Sequence, residues 1–220
     1  MLVKDLISTD IPPLKVSDEA KKALEWMDEF KVSHLPVIDK TQYIGIISDA
    51  EILDNISPSD PLSKIRRTLG KPFIYEHLHA YEALKMYALL KISVIPVIDS
   101  KERYVGVVTI QRLLDYLSEI TAAQEPGSLI VLELSQRDYS LSQIAQIAET
   151  NNAKILSLFL TPRTDSTELE ITIKLSVQDV SAVLQTFERF GYTVKASFSQ
   201  SNQRTALKDR YDALMHYLNI

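Results

Sequence analysis

The stretch that decides the fold is Ser33-His34-Leu35-Pro36-Val37-Ile38-Asp39, followed shortly by Tyr43-Ile44-Gly45-Ile46-Ile47-Ser48-Asp49. The chain then repeats it as Ser93-Val94-Ile95-Pro96-Val97-Ile98-Asp99 and Tyr104-Val105-Gly106-Val107-Val108-Thr109. In each copy two short, β-branched apolar runs flank a polar turn, which is the pattern of a β-hairpin. Working outward, residues 1–39 align without a gap on 61–99, with identities that include Leu2/Leu62, Lys4/Lys64, Pro12/Pro72, Ala20/Ala80, Ala23/Ala83 and Leu24/Leu84. One extra residue in the second turn shifts the register, and the match resumes at Tyr43/Tyr104, Gly45/Gly106, Leu53/Leu114 and Asp54/Asp115. A repeat on this scale sets the architecture.

Upstream of each hairpin, apolar residues fall on one helical face: Ala20, Ala23, Leu24, Met27 and Phe30, then Ala80, Ala83, Leu84, Tyr87 and Leu90. A second helix follows each hairpin, near 49–56 and 110–121. Each copy is therefore strand, helix, strand, strand, helix, with copies at about 1–60 and 61–122.

This order and the two hairpin motifs resemble a pair of CBS domains over residues 1–122. The resemblance implies two clefts between the copies, where adenosine-containing ligands such as AMP, ADP, ATP or S-adenosylmethionine act as regulators. It also implies that a segment Gly-h-h-Thr/Ser-x-x-Asp supplies the polar contacts, the hydroxyl facing phosphate and the Asp accepting from the ribose hydroxyls. The first copy reads Gly45-Ile46-Ile47-Ser48-Asp49-Ala50-Glu51, so Glu51 stands at the acidic position. The second reads Gly106-Val107-Val108-Thr109-Ile110-Gln111-Arg112, and Arg112 has no acceptor. A ribose diol left unpaired at a buried site forfeits hydrogen bonds to a charged group worth about 1.5–3 kcal/mol, roughly 10- to 100-fold in affinity. The cleft served by Ser48 and Glu51 is thus the expected ribose site, with Thr109 completing the second motif and Arg112 as a phosphate partner. His34 is expected to line the adenine end; Val94 replaces it in the second copy. The alternative is that both clefts are degenerate, Ser48 capping a helix and Arg112 lying in solvent.

Glu125-Pro126-Gly127-Ser128 punctuates the chain and marks a boundary. Beyond it come a strand at 129–134, a helical face at Leu141, Ile144, Ala145 and Ala148, and a strand at 155–160. An alternating strand at 169–175, a helical face at Val180, Val183, Leu184 and Phe187, and a last strand at 192–198 follow. The order βαββαβ is a ferredoxin-like plait over 127–200, and the whole chain is α+β. The plait resembles an ACT domain, and its place after a CBS pair is similar to acetoin-utilisation-type CBS–ACT proteins. Where that family has Asp-x-x-Gly-x-Leu, this chain has Gln136 and Tyr139, and Tyr139 argues against an amino-acid site. Leu207, Tyr211, Leu214 and Leu218 form the apolar stripe of a terminal helix, 203–220.

Composition narrows the chemistry. Five glycines, none within a few residues of another, exclude a dinucleotide fingerprint and a P-loop. The absence of cysteine excludes disulfides, thiolate metal sites and a Cys nucleophile. A net charge of −5 is a poor match for nucleic acid. No apolar run approaches the roughly 20 residues of a membrane span, so a cytoplasmic protein is expected. His77 and His79 are two apart at a helix start and do not share a face, so no metal site is expected. No catalytic constellation assembles. The reading is a non-enzymatic regulatory sensor, homodimeric as both module types imply, with a small-molecule nucleotide as partner and no required cofactor. The alternative is a homo-oligomeric scaffold with degenerate clefts.

Overall fold

The computed structural model describes residues 1–163 and 167–199 and divides the chain into two compact units, Met1–Tyr116 and Leu117–Ile220. The expected terminal helix at 203–220 lies outside the described residues.

In the first unit each copy builds one small three-stranded sheet. β1 (Leu14–Lys15) runs parallel to β2 (His34–Asp39), which pairs antiparallel with β3 (Gln42–Ser48). α1 (Ala20–Phe30) makes the crossover and α2 (Asp49–Asn55) follows the hairpin. The second copy repeats this with β4 (Ile74–Tyr75), α3 (Ala80–Leu90), β5 (Val94–Ile98), β6 (Tyr104–Thr109) and α4 (Ile110–Ile120). The hairpins share a bulge at equivalent places, between Val37 and Ile38 and between Val97 and Ile98. The β-branched runs are buried: Leu35, Val37 and Ile47 are sealed in one copy, and Val94, Ile95, Val97 and Val108 in the other.

The scarcity of glycine is met by lysine. α1 and α3 both end on a lysine in the left-handed region, Lys31 at φ 54° and Lys91 at φ 52°, whose N–H groups close onto Met27 and Tyr87 carbonyls. Left-handed lysine costs roughly 1–2 kcal/mol that glycine would not, so the surrounding packing holds these caps in place. The expected helical faces are drawn slightly too wide. Leu90 is 48% exposed, because the closing turn at Lys91 swings the last residue of α3 off the core. The expected helix start at His77 also moves: α3 begins at Ala80, with His79 as its N-cap accepting from the Tyr81 N–H.

The second unit is the expected plait. Its sheet order is β10 (Thr193–Phe198), β7 (Ser128–Ser135), β9 (Glu168–Leu175), β8 (Ile155–Pro162), antiparallel throughout. α5 (Leu141–Thr150) and α6 (Ser181–Arg189) connect the strands. Ile130, Leu132, Ile171, Ile173, Ile144 and Phe187 make the core between sheet and helices. Leu141, expected on the buried face of α5, is 53% exposed, and Ile147 is buried in its stead. Leu141 is the first residue of the helix, beyond the reach of the core, while Ile147 lies one turn after the buried Ile144.

Candidate functional site

The two glycines of the repeat are where the copies exchange chain. Gly45 on β3 lies so close to the segment leading into the second copy that a Cβ there would meet the Gly70 carbonyl at 2.7 Å and Leu69 Cβ at 2.8 Å. The Ile46 N–H donates to the same Gly70 carbonyl at 2.9 Å. Gly106 on β6 faces the segment leading into the first copy, where a Cβ would meet Ile7 Cγ2 at 2.5 Å and the Ser8 carbonyl at 2.9 Å. Here two bonds close the crossing, Ser8 N–H to the Val107 carbonyl at 2.8 Å and Val107 N–H to the Ser8 carbonyl at 3.1 Å. Only a residue without Cβ admits this approach. Each motif therefore packs against backbone of the other copy.

At the far ends of these strands the copies meet a second time. His34 pairs in register with Ser48, and Val94 with Thr109. Between them the Ser33 N–H donates to Ser93 Oγ at 3.1 Å, and the Ser93 N–H donates to His34 Nδ1 at 3.3 Å. His34 Nδ1 also lies 3.0 Å from Ser33 Oγ. An Nδ1 that accepts an N–H carries no proton, so the ring is the Nε2–H tautomer. Burial holds the His34 pKa below its ordinary value, while the carboxylates of Asp49 and Glu51 pull the other way. Sequence reasoning missed the contact of Ser33 with Ser93 between the copies; their identity at equivalent positions of the repeat was the available signal. A cleft of about 580 Å³ opens beside them, lined by Leu24, Met27, Lys31, Asp49 and Leu53 among others. Ser48, Glu51, Thr109 and Arg112 are not among its lining residues.

The starts of α2 and α4 differ. Ser48 and Glu51 form a closed capping box: Ser48 Oγ accepts the Glu51 N–H at 3.2 Å, and Glu51 Oε2 accepts the Ser48 N–H at 2.8 Å and the Ser48 hydroxyl at 2.9 Å. Glu51 Oε1 receives no hydrogen bond from the described residues. At α4, Thr109 Oγ1 accepts the Arg112 N–H at 3.3 Å, and the Thr109 hydroxyl proton goes to no described acceptor. Arg112 is exposed and its guanidinium pairs with no described carboxylate. One helix start thus presents a carboxylate oxygen; the other presents a hydroxyl proton and a guanidinium. Among the described residues no three His, Asp or Glu side chains cluster to hold a metal ion.

The repeated β-hairpin sheets, each crossed by backbone of the other copy, define a tandem module. The family model for the CBS domain matches residues 3–58 and 55–119, and the chain belongs to that family. Paired CBS domains are regulatory, ligand-binding modules. Among curated proteins, the chain is 28% identical over 143 residues to a CBS domain-containing protein of Dictyostelium discoideum, covering 58% of this chain and 99% of that one. It is 23% identical over 131 residues to inosine-5'-monophosphate dehydrogenase of Methanocaldococcus jannaschii, covering 58% of this chain but only 26% of the dehydrogenase. Among solved structures it is similar to a CBS domain pair/ACT domain protein of Thermotoga maritima, at 22% identity and a TM-score of 0.49, over 54% of this chain and 98% of that one. It is also similar to CBSX2, solved in complex with AMP, at 24% identity and a TM-score of 0.43, over 54% of this chain and 97% of that one. No helix among the described residues is long and apolar enough to cross a membrane.

Proposed function

We propose that the chain is a regulatory, ligand-sensing protein whose CBS pair binds an adenosine-containing nucleotide and which catalyses no reaction. The observation that carries this reading is the division of labour between the two helix starts. Glu51 Oε1 is available to a ribose diol while Oε2 stays in the cap. The Thr109 hydroxyl and the Arg112 guanidinium supply donors for phosphate. His34, whose Nδ1 accepts from Ser93 of the other copy, offers its Nε2–H as a donor toward a base. Ser48 spends its hydroxyl proton on Glu51, so its part is to hold Glu51 in place. The plait, read as an ACT-like domain, receives or combines the signal. The protein works as a cytoplasmic homodimer with a small molecule, rather than nucleic acid or membrane, as partner; its net charge of −5 supports that choice. AMP, ADP, ATP and S-adenosylmethionine are the candidate ligands.

A second reading draws on the closed Ser48–Glu51 ring: a homo-oligomeric scaffold in which that ring is only a helix cap. Calorimetry with the four ligands separates the two. Glu51→Gln keeps a capping residue at the same helical position but weakens the acceptor for ribose. The expected result is a roughly 10- to 100-fold loss of nucleotide affinity with little change in melting temperature. Arg112→Ala is expected to weaken ATP more than AMP. Folded protein that binds none of the four at millimolar concentration would overturn the sensor reading in favour of the scaffold.

A further inference from the structure

The two helices of each CBS copy leave leucine in solvent at matching places. Leu53 on α2 is 69% exposed, and its counterpart in the repeat, Leu114 on α4, is 52% exposed. Around this shared pair the copies differ. In the second copy Leu89, Leu90 and Ile110 are exposed as well, where the first has Glu29, Phe30 and Asp49. The first copy instead opens the cleft of about 580 Å³, walled by Leu24, Met27 and Leu53 and carrying Asp28 and Asp49. One copy therefore offers an apolar hollow edged with carboxylates, and the other offers apolar side chains that stand in solvent. Charge divides the same way. Over α1 and α2 two lysines stand against six carboxylates, whereas over α3 and α4 Lys85 and Arg112 stand against three. Lys85 occupies the place that Glu25 has in the first copy.

We propose that the chain dimerises in the opposite sense, with α3 and α4 of each protomer seated on α1 and α2 of its partner. The partner's Ile110 and Leu114 enter the cleft beside Leu53, and the contact is made twice about one twofold axis. Exposed apolar patches mark interaction surfaces, and here a hollow and the side chains to fill it occur in one chain. Electrostatics selects the sense. Docking like on like would set α1 and α2, with their excess of carboxylates, against their own image, and like charges facing across an interface oppose association. The opposite sense brings the less acidic pair of helices, with Lys85, to the acidic one. Leu53 lies two residues beyond Glu51, and Leu114 two beyond Arg112, which puts each on a different face of its helix from the nucleotide group. A partner seated on the leucines thus sits beside the proposed nucleotide groups rather than on them. The pairing rests on the homodimer proposed above and adds which helices meet which.

The absence of cysteine makes the test direct, because introduced thiols have no competitors. Two single variants of the full chain, Leu53→Cys and Leu114→Cys, are oxidised separately and as an equimolar mixture after subunit exchange. A disulfide joining residue 53 of one molecule to residue 114 of another is expected in the mixture, with little product from either variant alone. Intact mass and non-reducing electrophoresis read the products. Rapid disulfides joining 53 to 53 or 114 to 114 in the separate samples would overturn the proposed sense. Sedimentation velocity gives a reading independent of disulfide geometry. Leu114→Asp, which brings a carboxylate toward Asp28 and Asp49, is expected to weaken the dimer roughly tenfold or more. Leu114→Lys at the same place should weaken it less. Equal weakening by the two, or a dimer indifferent to both, would overturn the docking and leave the homodimer standing. A wild-type chain that stays monomeric would overturn both.

Discussion

The two CBS copies share a backbone and differ in what they hold. At the same hairpin position, Asp39 is half-buried and pairs with Arg66 at 3.0 Å, whereas Asp99 is buried and accepts the N–H groups of Lys101 and Arg103 and the Arg103 guanidinium. The single extra residue in the second turn creates that difference by giving Asp99 a loop to organise. These hydrogen bonds, the Arg103 N–H first, hold the Asp99 carboxyl below the usual carboxylate range. The tyrosines diverge in the same way. Tyr43 donates to the Pro72 carbonyl at 2.8 Å, while the equivalent Tyr104 hydroxyl is buried without a partner among the described residues. At the helix starts, one copy presents an acceptor and the other presents donors. The two copies thus share a frame and differ in the polar contacts it carries.

The comparison can be broken most forcefully at the crossings. Gly45→Ala and Gly106→Ala each force a Cβ into backbone, and overpacking of this kind costs about 1–3 kcal/mol. Gly45→Ala should be the worse, since both of its nearest contacts, the Gly70 carbonyl and Leu69 Cβ, are fixed to the main chain, whereas Ile7 Cγ2 beside Gly106 can rotate. Thermal unfolding in which Gly106→Ala lost more would contradict the geometry described for the first crossing.

The tyrosine pair sharpens the contrast with changes of opposite sign. Tyr43→Phe strands the Pro72 carbonyl and should lower stability by about 1 kcal/mol. Tyr104→Phe removes a hydroxyl that has no partner and should be neutral or stabilising by a similar amount. Denaturant titration of the two variants reads both signs, and equal losses would show that Tyr104 has a partner.

The smallest effect concerns His34 and is tested by pH. The folded protein holds the ring below its ordinary value of 6.5, so the unfolded chain takes up the proton first. Stability is therefore unaffected above that value and declines as pH falls through it toward the folded pKa. His34→Val, which copies Val94, should flatten this decline at a cost of under about 1 kcal/mol from lost hydrogen bonding to Ser93. A slope unchanged in the variant would move the titrating group elsewhere.

Much of the frame was legible in the residues themselves. Leu-Pro-Val-Ile-Asp and its echo fixed the hairpins because β-branched runs around a polar turn have few other ways to bury themselves. The alternation from Leu169 to Leu175 located a strand with one sealed face for the same reason. Helix ends were less legible: Leu90 and Leu141 follow the periodicity but sit where a helix has already left the core. The left-handed lysines at 31 and 91 could not be read at all, since nothing in their chemistry asks for that conformation. At the site, Glu51 and Arg112 were visible as departures from a motif. That Glu51 shares its carboxylate with the Ser48 cap was not, because one spacing serves both a capping box and a ribose contact.

The crossings at Gly45 and Gly106 have a further consequence for how the molecule comes into being. Ser8 finds its strand partner at Val107, almost the whole pair away along the chain, so this closure carries a large loop entropy and a high contact order. A ribosome that has released the first copy has not yet made the surface on which Ile7 and Ser8 settle. The pair is thus one compact unit despite its twofold sequence. Neither half, cut free at the repeat boundary, would carry a complete site.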